Sequence, residues 1–138
     1  MKHLGPREAY AFLLRHPQAL WIDCRSEAEF YLVGHPIVEQ GVGDPKRPEL
    51  VVWADELTGD ANPDFVAQVE RLATGRQQPI LISCRSGQRS MRAGEALEAA
   101  GFGEVYNQAE GFEGPLDERF RRGTMAGWRF HGLPWEQL

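Results

Sequence analysis

Short apolar runs alternate along the chain with segments whose apolar residues recur at helical spacing. The apolar runs are short enough for buried strands and lie at residues 19–23, 50–53, 79–83 and 103–107. Helical patterns lie between them, at residues 6–15, 26–31, 62–73 and 90–100. Strands that alternate with helices in this way are typical of a parallel α/β sheet.

Residues with special backbone or capping properties mark the ends of these predicted elements. Pro6 stands where a first helix can begin without losing a hydrogen bond. Ser26 and Glu29 have the spacing of a capping box. The Gly- and Pro-rich stretch 34–49 is predicted to be a loop, and the Gly-rich tail from Glu110 onward is predicted to carry a short helical piece at residues 125–130.

Length and charge limit the classes of protein that fit. The chain has 138 residues, so we expect residues 1–138 to form one domain. Its formal net charge of -5 argues against nucleic acid as a partner, because phosphate binding needs a basic face. No apolar run is long enough to cross a bilayer, and residues 1–8 lack the apolar core of a secretion signal. We therefore expect a cytoplasmic protein with no membrane partner.

The sequence predicts neither a metal nor an organic cofactor. Its two cysteines, Cys24 and Cys84, are too few for a disulfide framework. Neither these cysteines nor the four histidines show the clustered spacing of zinc ligands. There is also no glycine-rich dinucleotide loop and no P-loop.

The informative segment is residues 80–90, a buried strand followed by a compact polar loop and the start of a helix. Loops of this kind lie at the carboxyl edge of a parallel sheet, where ligands bind. The loop begins with Cys84, and backbone N–H groups of the loop and helix N-terminus would surround its sulfur. Arg85 and Arg89 add positive charge. All these effects favour thiolate, so we expect the pKa of Cys84 to fall below about 8.5.

The other residues of the loop are consistent with a reactive cysteine. Gly87 allows the positive φ or close backbone approach that a tight loop around an anion requires. Ser86 and Ser90 can donate hydroxyl hydrogen bonds, and Ser90 is also placed to cap the helix. A lone cysteine after a strand is usually a small core residue. Here, burying the loop would leave two guanidinium groups without partners, which favours the reactive alternative.

This loop resembles the active-site loop of the rhodanese family, which has six residues and opens with a persulfide-forming cysteine; the corresponding run is Cys84-Arg85-Ser86-Gly87-Gln88-Arg89. The family's N-terminal signature, an apolar strand with Asp-x-Arg and a short acidic helix, resembles residues 21–30. Further pieces of the family pattern resemble Gly34-His35-Pro36, Gly127-Trp128 and Gly132-Leu133-Pro134, in the right order.

The resemblance implies a doubly wound, five-stranded parallel sheet with helices on both faces. It implies that sulfane sulfur passes from an anionic donor such as thiosulfate to Cys84, and then to cyanide, a thiol or a protein cysteine. Arg85 or Arg89 would hold the donor. Cys84 is thus the expected catalytic residue, with substrate-binding residues Arg85, Ser86, Gly87, Gln88, Arg89 and Ser90 and supporting residues Asp23 and Arg25.

Two other functions remain open at this point. Phosphatases and arsenate reductases with a similar loop place five residues between cysteine and arginine, whereas four separate Cys84 from Arg89. The shorter loop makes a cradle sized for one sulfur rather than a tetrahedral oxyanion. A non-enzymatic interaction module is the second alternative, but such modules commonly lose the cysteine or the loop, and this chain keeps both.

Five side chains outside the loop have alternative interpretations. Asp23 either orients the loop or fixes the turn after its strand, and the turn is favoured. His35 is expected to be structural rather than a base. Arg25 and Glu29 have the spacing of an exposed ion pair. Cys24 replaces the aliphatic residue usual in the family and would form a redox pair with Cys84 if their strands were neighbours, although the apolar period favours packing in the core.

Overall fold

The computed structural model describes residues 1–138. It contains seven strands, three α-helices and one π-helical segment at Glu29–Val33. The regular elements in chain order are β1 (Lys2–Leu4), α1 (Pro6–Arg15), β2 (Leu20–Asp23), β3 (His35–Pro36), β4 (Glu49–Leu50), α2 (Phe65–Leu72), β5 (Ile80–Ser83), α3 (Gln88–Ala99), β6 (Val105–Gln108) and β7 (Trp135–Glu136). None of the helices has the length and apolar character needed to cross a membrane.

Five of the strands form one parallel sheet in the order β1-β6-β5-β2-β4. Strands β2 and β5 lie side by side near its centre, with Ile22 opposite Ile82 and Asp23 opposite Ser83. All residues of both strands are buried, as expected of parallel strands that are covered on both faces. The predicted five-stranded parallel α/β sheet is therefore confirmed.

Two separate cores lie on the two faces of the sheet. On one face, Ile22 and Ile82 pack with residues of α2 and α3, among them Phe65 and Leu97. On the other face, the residues just before Ile22 and Ile82 pack against α1 and a buried tryptophan of the tail; this core includes Phe12, Leu13, Trp21, Leu81 and Trp128. The alternation of side chains along each strand thus covers both faces with helices, which confirms the doubly wound arrangement.

Three predicted elements differ from those observed. The strand predicted at residues 50–53 is reduced to Glu49–Leu50. The helix predicted from residue 62 begins at Phe65, because Asn62 Oδ1 accepts the Asp64 N–H at 3.0 Å and makes a turn first. The helical piece predicted at residues 125–130 is wrong. Gly127 there has φ +112°, which no α-helix adopts, and a Cβ on it would meet the backbone of the 113–114 segment.

Three short strands, β1, β3 and β7, were not predicted. Strand β1 adds to the edge of the sheet beside β6, and only Gly5 separates it from α1. Strand β7 pairs antiparallel with β3, which joins the C-terminal tail to the chain just after the π-helical segment. Elements of two or three residues carry too little periodicity to be recognised in a sequence.

Candidate active site

Cys84 follows directly after β5, and its sulfur lies inside a ring of backbone donors. Its Sγ accepts hydrogen bonds from the N–H groups of Gly87 at 3.1 Å and Ser90 at 3.3 Å. Gly87 makes this possible: its φ of +99° turns the chain so that α3 begins one residue later, at Gln88. The predicted anion-binding arrangement of backbone N–H groups is therefore present around the sulfur.

The Ser90 side chain belongs to the sulfur site and does not cap the helix, contrary to expectation. Because Gly87 is the N-cap, Ser90 lies inside α3 with its Oγ 3.1 Å from Cys84 Sγ. The same hydroxyl hydrogen-bonds to Oδ1 of buried Asn107 on β6. Asn107 is held in turn by its Nδ2, which donates to the Gly87 carbonyl at 3.3 Å. The single hydroxyl hydrogen of Ser90 thus has two acceptors, Sγ and Asn107 Oδ1.

Cys24 lies beside Cys84, because their strands are neighbours. Each cysteine comes directly after a paired residue, Asp23 and Ser83, and the Cys24 N–H donates to the Ser83 carbonyl at 2.9 Å. Both side chains belong to the core on the α2 and α3 face, with Cys24 0% and Cys84 1% exposed. The strands before the two cysteines are neighbours, which is the condition for a redox pair, and Cys24 is also buried in the core, as its apolar period predicted.

The two thiols have opposite acidities. The hydrogen bond from Cys24 is the largest influence on Cys84; with those from Ser90 and Gly87, it outweighs burial and lowers the pKa of Cys84 to about 5. Burial, followed by the hydrogen bond and charge of Cys84, raises the pKa of Cys24 well above its ordinary value. Cys84 is therefore held as a thiolate at neutral pH, with Cys24 beside it as a thiol.

Arg89 is engaged by a carboxylate and does not point freely into the site. Its Nη1 and Nη2 donate to Glu29 Oε1 at 2.8 Å and Oε2 at 2.7 Å. Burial of Glu29 opposes ionisation, but the hydrogen bonds and charge of Arg89 outweigh it and lower the pKa of that carboxyl to about 2. The pairing of Glu29 with Arg25 that its spacing predicted is therefore wrong. The capping box of Ser26 and Glu29 is present, with both N–H bonds at 3.2 Å.

Asp23 and Arg25 are fully buried and bind each other after β2. Asp23 accepts from the Arg25 backbone N–H at 3.1 Å and from its Nη2 at 2.7 Å, and Arg25 also donates to the Gly34 carbonyl at 2.7 Å. Neither side chain contacts the sulfur. The Arg25 guanidinium lies 4.8 Å from the centre of the Phe112 ring, and the Phe112 N–H donates to the Cys84 carbonyl at 2.8 Å. Their support of the loop is thus indirect, through Phe112.

The segment 110–114 packs behind the loop, a contact that sequence reasoning did not predict. Besides the Phe112 bond, the N–H groups of Glu113 and Gly114 donate to the Arg85 carbonyl at 3.0 and 3.1 Å. Gly111 has φ +72°, and a Cβ on it would collide with the Arg85 carbonyl group and the Ser86 nitrogen. A side chain at this position would displace the loop.

A cavity of about 590 Å³ opens above the loop. Its lining is mostly charged and includes Trp53; the charged residues are Arg85, Arg89, Arg92 and Arg122 with Glu29, Asp55, Glu56 and Glu113. Arg85 is exposed, and its guanidinium makes no hydrogen bond within the chain, so it is the loop arginine that is free to meet an anion. The Ser86 hydroxyl and Gln88 amide make no hydrogen bond to the sulfur, and Gln88 is exposed.

His35 lies apart from the sulfur. Its ring stacks on Phe30 at 4.2 Å between centres, and its Nε2 is 3.4 Å from Glu136 Oε1. The surroundings of His35 are those of a side chain that holds β3, β7 and the π-helical segment together.

The fold and the loop define a class of α/β proteins that present a cysteine on a tight loop at the carboxyl edge of a parallel sheet. Residues 6–117 match the family model described as the Rhodanese-like domain, and the chain belongs to this family.

Relatives with known structures share this fold over the whole chain. The crystal structure of Rv0390 from M. tuberculosis is 37% identical, with a TM-score of 0.82, and the match covers 100% of this chain and 98% of that one. A polysulfide-sulfur transferase homodimer from Wolinella succinogenes is 21% identical, with a TM-score of 0.65, and the match covers 100% of this chain and 80% of that one. Among sequences, Uncharacterized protein RP600 from Rickettsia prowazekii is 26% identical over 99% of this chain and 98% of its own length.

Proposed function

We propose that this protein is a sulfurtransferase that carries sulfane sulfur as a persulfide on Cys84. The observation that carries the proposal is the ring of donors around Cys84 Sγ, with N–H groups of Gly87 and Ser90 at 3.1 and 3.3 Å. These donors favour a thiolate, which is the form of cysteine that attacks sulfur. They also suit the anion that remains after the attack, because a persulfide is negatively charged as well.

In the first half of the proposed reaction, the Cys84 thiolate attacks the outer sulfur of thiosulfate. A new S–S bond forms, the S–S bond of thiosulfate breaks, and sulfite leaves with its electron pair. In the second half, a nucleophile attacks the terminal sulfur of the persulfide and restores the thiolate. A pKa of about 5 means that Cys84 needs no general base at neutral pH.

The charge and size of the cavity above the loop suit a small anionic sulfur donor and a thiophilic acceptor. Arg85 supplies positive charge that no carboxylate of the chain neutralises by direct contact, whereas Arg89 is already paired with Glu29. The cavity of about 590 Å³ leaves room for cyanide, a low-molecular-weight thiol or the tip of a protein loop that carries a cysteine. The Wolinella protein shares the fold, and we take polysulfide as a second donor to test.

The site gives less support to the phosphatase or arsenate reductase alternative. In that alternative the arginine at the end of the loop, here Arg89, would hold the oxyanion, but both of its terminal nitrogens are bonded to Glu29. The interaction-module alternative gives no role to a cysteine held as a thiolate among hydrogen-bond donors, whereas strongly lowered thiol pKa values are typical of reactive cysteines.

The test is turnover of thiosulfate and cyanide, followed as thiocyanate, with wild type and Cys84→Ser. We expect turnover by the wild type and none by the variant, since a serine hydroxyl cannot form a persulfide. A well-folded wild type that fails with both thiosulfate and polysulfide, and instead hydrolyses an aryl phosphate in a Cys84-dependent manner, would overturn the proposal in favour of the phosphatase alternative.

A further inference from the structure

Cys24 is a buried thiol in the same core cluster as the sulfur that would carry the persulfide, and the sulfur transfer described above does not use it. Its placement follows from the strand register: Leu20 faces Ile80 and Ile22 faces Ile82, so the next residues on that face are Cys24 and Cys84. Neighbouring strands lie about 4.8 Å apart. That spacing is within the Cα separation of about 4.4–6.8 Å that a disulfide spans. The backbone therefore already holds the two cysteines at bonding range.

We propose that Cys24 is an internal acceptor that discharges the Cys84 persulfide as hydrogen sulfide and closes a Cys24–Cys84 disulfide. The inference rests on the proposed persulfide chemistry and adds a sulfide-releasing activity to it. Cys24 is the only other cysteine in the chain, so no competing thiol of the protein reaches the persulfide.

The step balances without an external oxidant. Cys24 sulfur attacks Cys84 Sγ, the Sγ–Sγ bond forms, and the bond from Sγ to the sulfane sulfur breaks. The sulfane sulfur leaves with the electron pair, takes the proton from Cys24 and departs as HS⁻. It is reduced by two electrons, and each cysteine sulfur is oxidised by one. A dithiol reductant, acting from solution by thiol–disulfide exchange, returns the protein to its reduced state.

The surroundings of Cys24 make this discharge slower than transfer to an acceptor in the cavity. Burial, the hydrogen bond and charge of Cys84, which follows β5, and the charge of Asp23 at the end of β2 raise the pKa of Cys24 and hold it as a thiol, and the charge of Arg89 on α3 opposes them. Only the thiolate form of Cys24 is a good nucleophile, so the small fraction of Cys24 in that form limits the rate of discharge. An external acceptor thus takes the sulfur when it is present, and sulfide release becomes the outcome when it is absent. The rate of discharge should rise with pH.

The experiment follows the persulfide after loading. Reduced wild type and Cys24→Ser are loaded with thiosulfate or polysulfide, the donor is removed, and intact mass and free sulfide are followed at pH 7 and pH 9 without acceptor. Serine keeps a hydrogen-bond donor of similar size beside Cys84 and removes only the nucleophile. We expect the wild type to lose one sulfur atom and two hydrogens while releasing one equivalent of sulfide. We expect Cys24→Ser to keep its persulfide at least tenfold longer.

The outcomes separate this inference from the proposed function. Loading of both proteins followed by equal persulfide lifetimes, or loss of sulfur without a disulfide, would overturn the inference and leave sulfur transfer intact. A discharge rate that rises with protein concentration would also overturn it, because the proposed step is intramolecular. If neither donor loads either protein, the proposed function fails and the inference fails with it.

Discussion

Arg89 and Glu29 form a bidentate ion pair between residues that are 60 positions apart, with N–O distances of 2.8 and 2.7 Å. The pair joins the π-helical segment to the first turn of α3, directly beside the sulfur loop. A guanidinium held by two oxygens is fixed in position and largely neutralised. Arg89 thus supports the shape of the loop, and the unpaired positive charge of the loop in the cavity above it comes from Arg85.

Glu29→Gln should lower the free energy of unfolding by about 2 kcal/mol at pH 7, as expected for loss of charged hydrogen bonds. The folded pKa of about 2 lies below the ordinary value of 4.5, so the stabilisation is complete above pH 4.5 and is lost as the pH falls toward 2. Urea unfolding at pH 7 and pH 3 measures it, with exposed Glu27→Gln as the control. An equal difference between wild type and Glu29→Gln at both pH values would contradict this role.

Arg85→Gln should raise KM for thiosulfate roughly three- to tenfold and leave kcat nearly unchanged, because it removes one exposed charge contact worth about 1 kcal/mol. The effect should shrink as ionic strength rises. Steady-state kinetics at low and high salt measure it. Arg7→Gln removes an exposed arginine from α1, on the opposite face of the sheet, and should change neither constant. A fall in kcat with unchanged KM would contradict donor binding by Arg85.

Ser90→Ala should raise the pKa of Cys84 by about 1, because the sulfur loses one hydroxyl hydrogen bond and keeps its backbone donors. In the wild type, thiolate absorbance should appear with a midpoint near pH 5 and be absent from Cys84→Ser. Ultraviolet titration suits a buried sulfur, since it requires no access by a reagent. Ser86→Ala is the matched control, because the Ser86 hydroxyl does not contact Sγ, and an equal shift in both variants would contradict the assignment.

Gly111→Ala should abolish turnover and lower stability by more than 2 kcal/mol, since its Cβ would overlap the backbone of residues 85–86. Gly132→Ala is a close control: Gly132 has the same φ of +72°, but nothing lies within 4 Å of the added Cβ. Gly132→Ala should lose only about 1–2 kcal/mol of stability, because alanine is strained in the left-handed backbone conformation, and it should remain active. Thermal unfolding and turnover of both variants measure the difference. Similar losses in both would show that strain, rather than contact with the loop, explains the effect.

The sequence predicted most of the fold because the long elements have recognisable patterns of apolar residues. The central strand at residues 79–83, the helix after it and helix α1 have strong apolar patterns with Pro or Gly at their ends. A helix was predicted at residues 26–31, but the π-helical form of Glu29–Val33 was not, and neither were the paired strands β3 and β7. Strand β7 lies far from β3 along the chain, and the pattern of residues in the sequence does not show that the two pair.

The chemistry of the loop could be predicted from the sequence, but the residues that bind its side chains could not. The N–H groups around Cys84 follow from local geometry, since strand, Gly87 and helix are consecutive. The pairing of Arg89 with Glu29, the hydrogen bond of Ser90 to Asn107 and the contact of Cys24 with Cys84 depend on strand order and register. Spacing along a single chain carries no information on these.

The most direct test of the central claim is the mass of the protein after incubation with excess thiosulfate and immediate removal of the donor, for wild type and Cys84→Ser. We predict one added sulfur atom on the wild type, located on the peptide that contains Cys84, removed by cyanide and absent from the variant. A folded wild type whose mass is unchanged with both thiosulfate and polysulfide, or an added sulfur that persists in Cys84→Ser, would contradict the persulfide at Cys84.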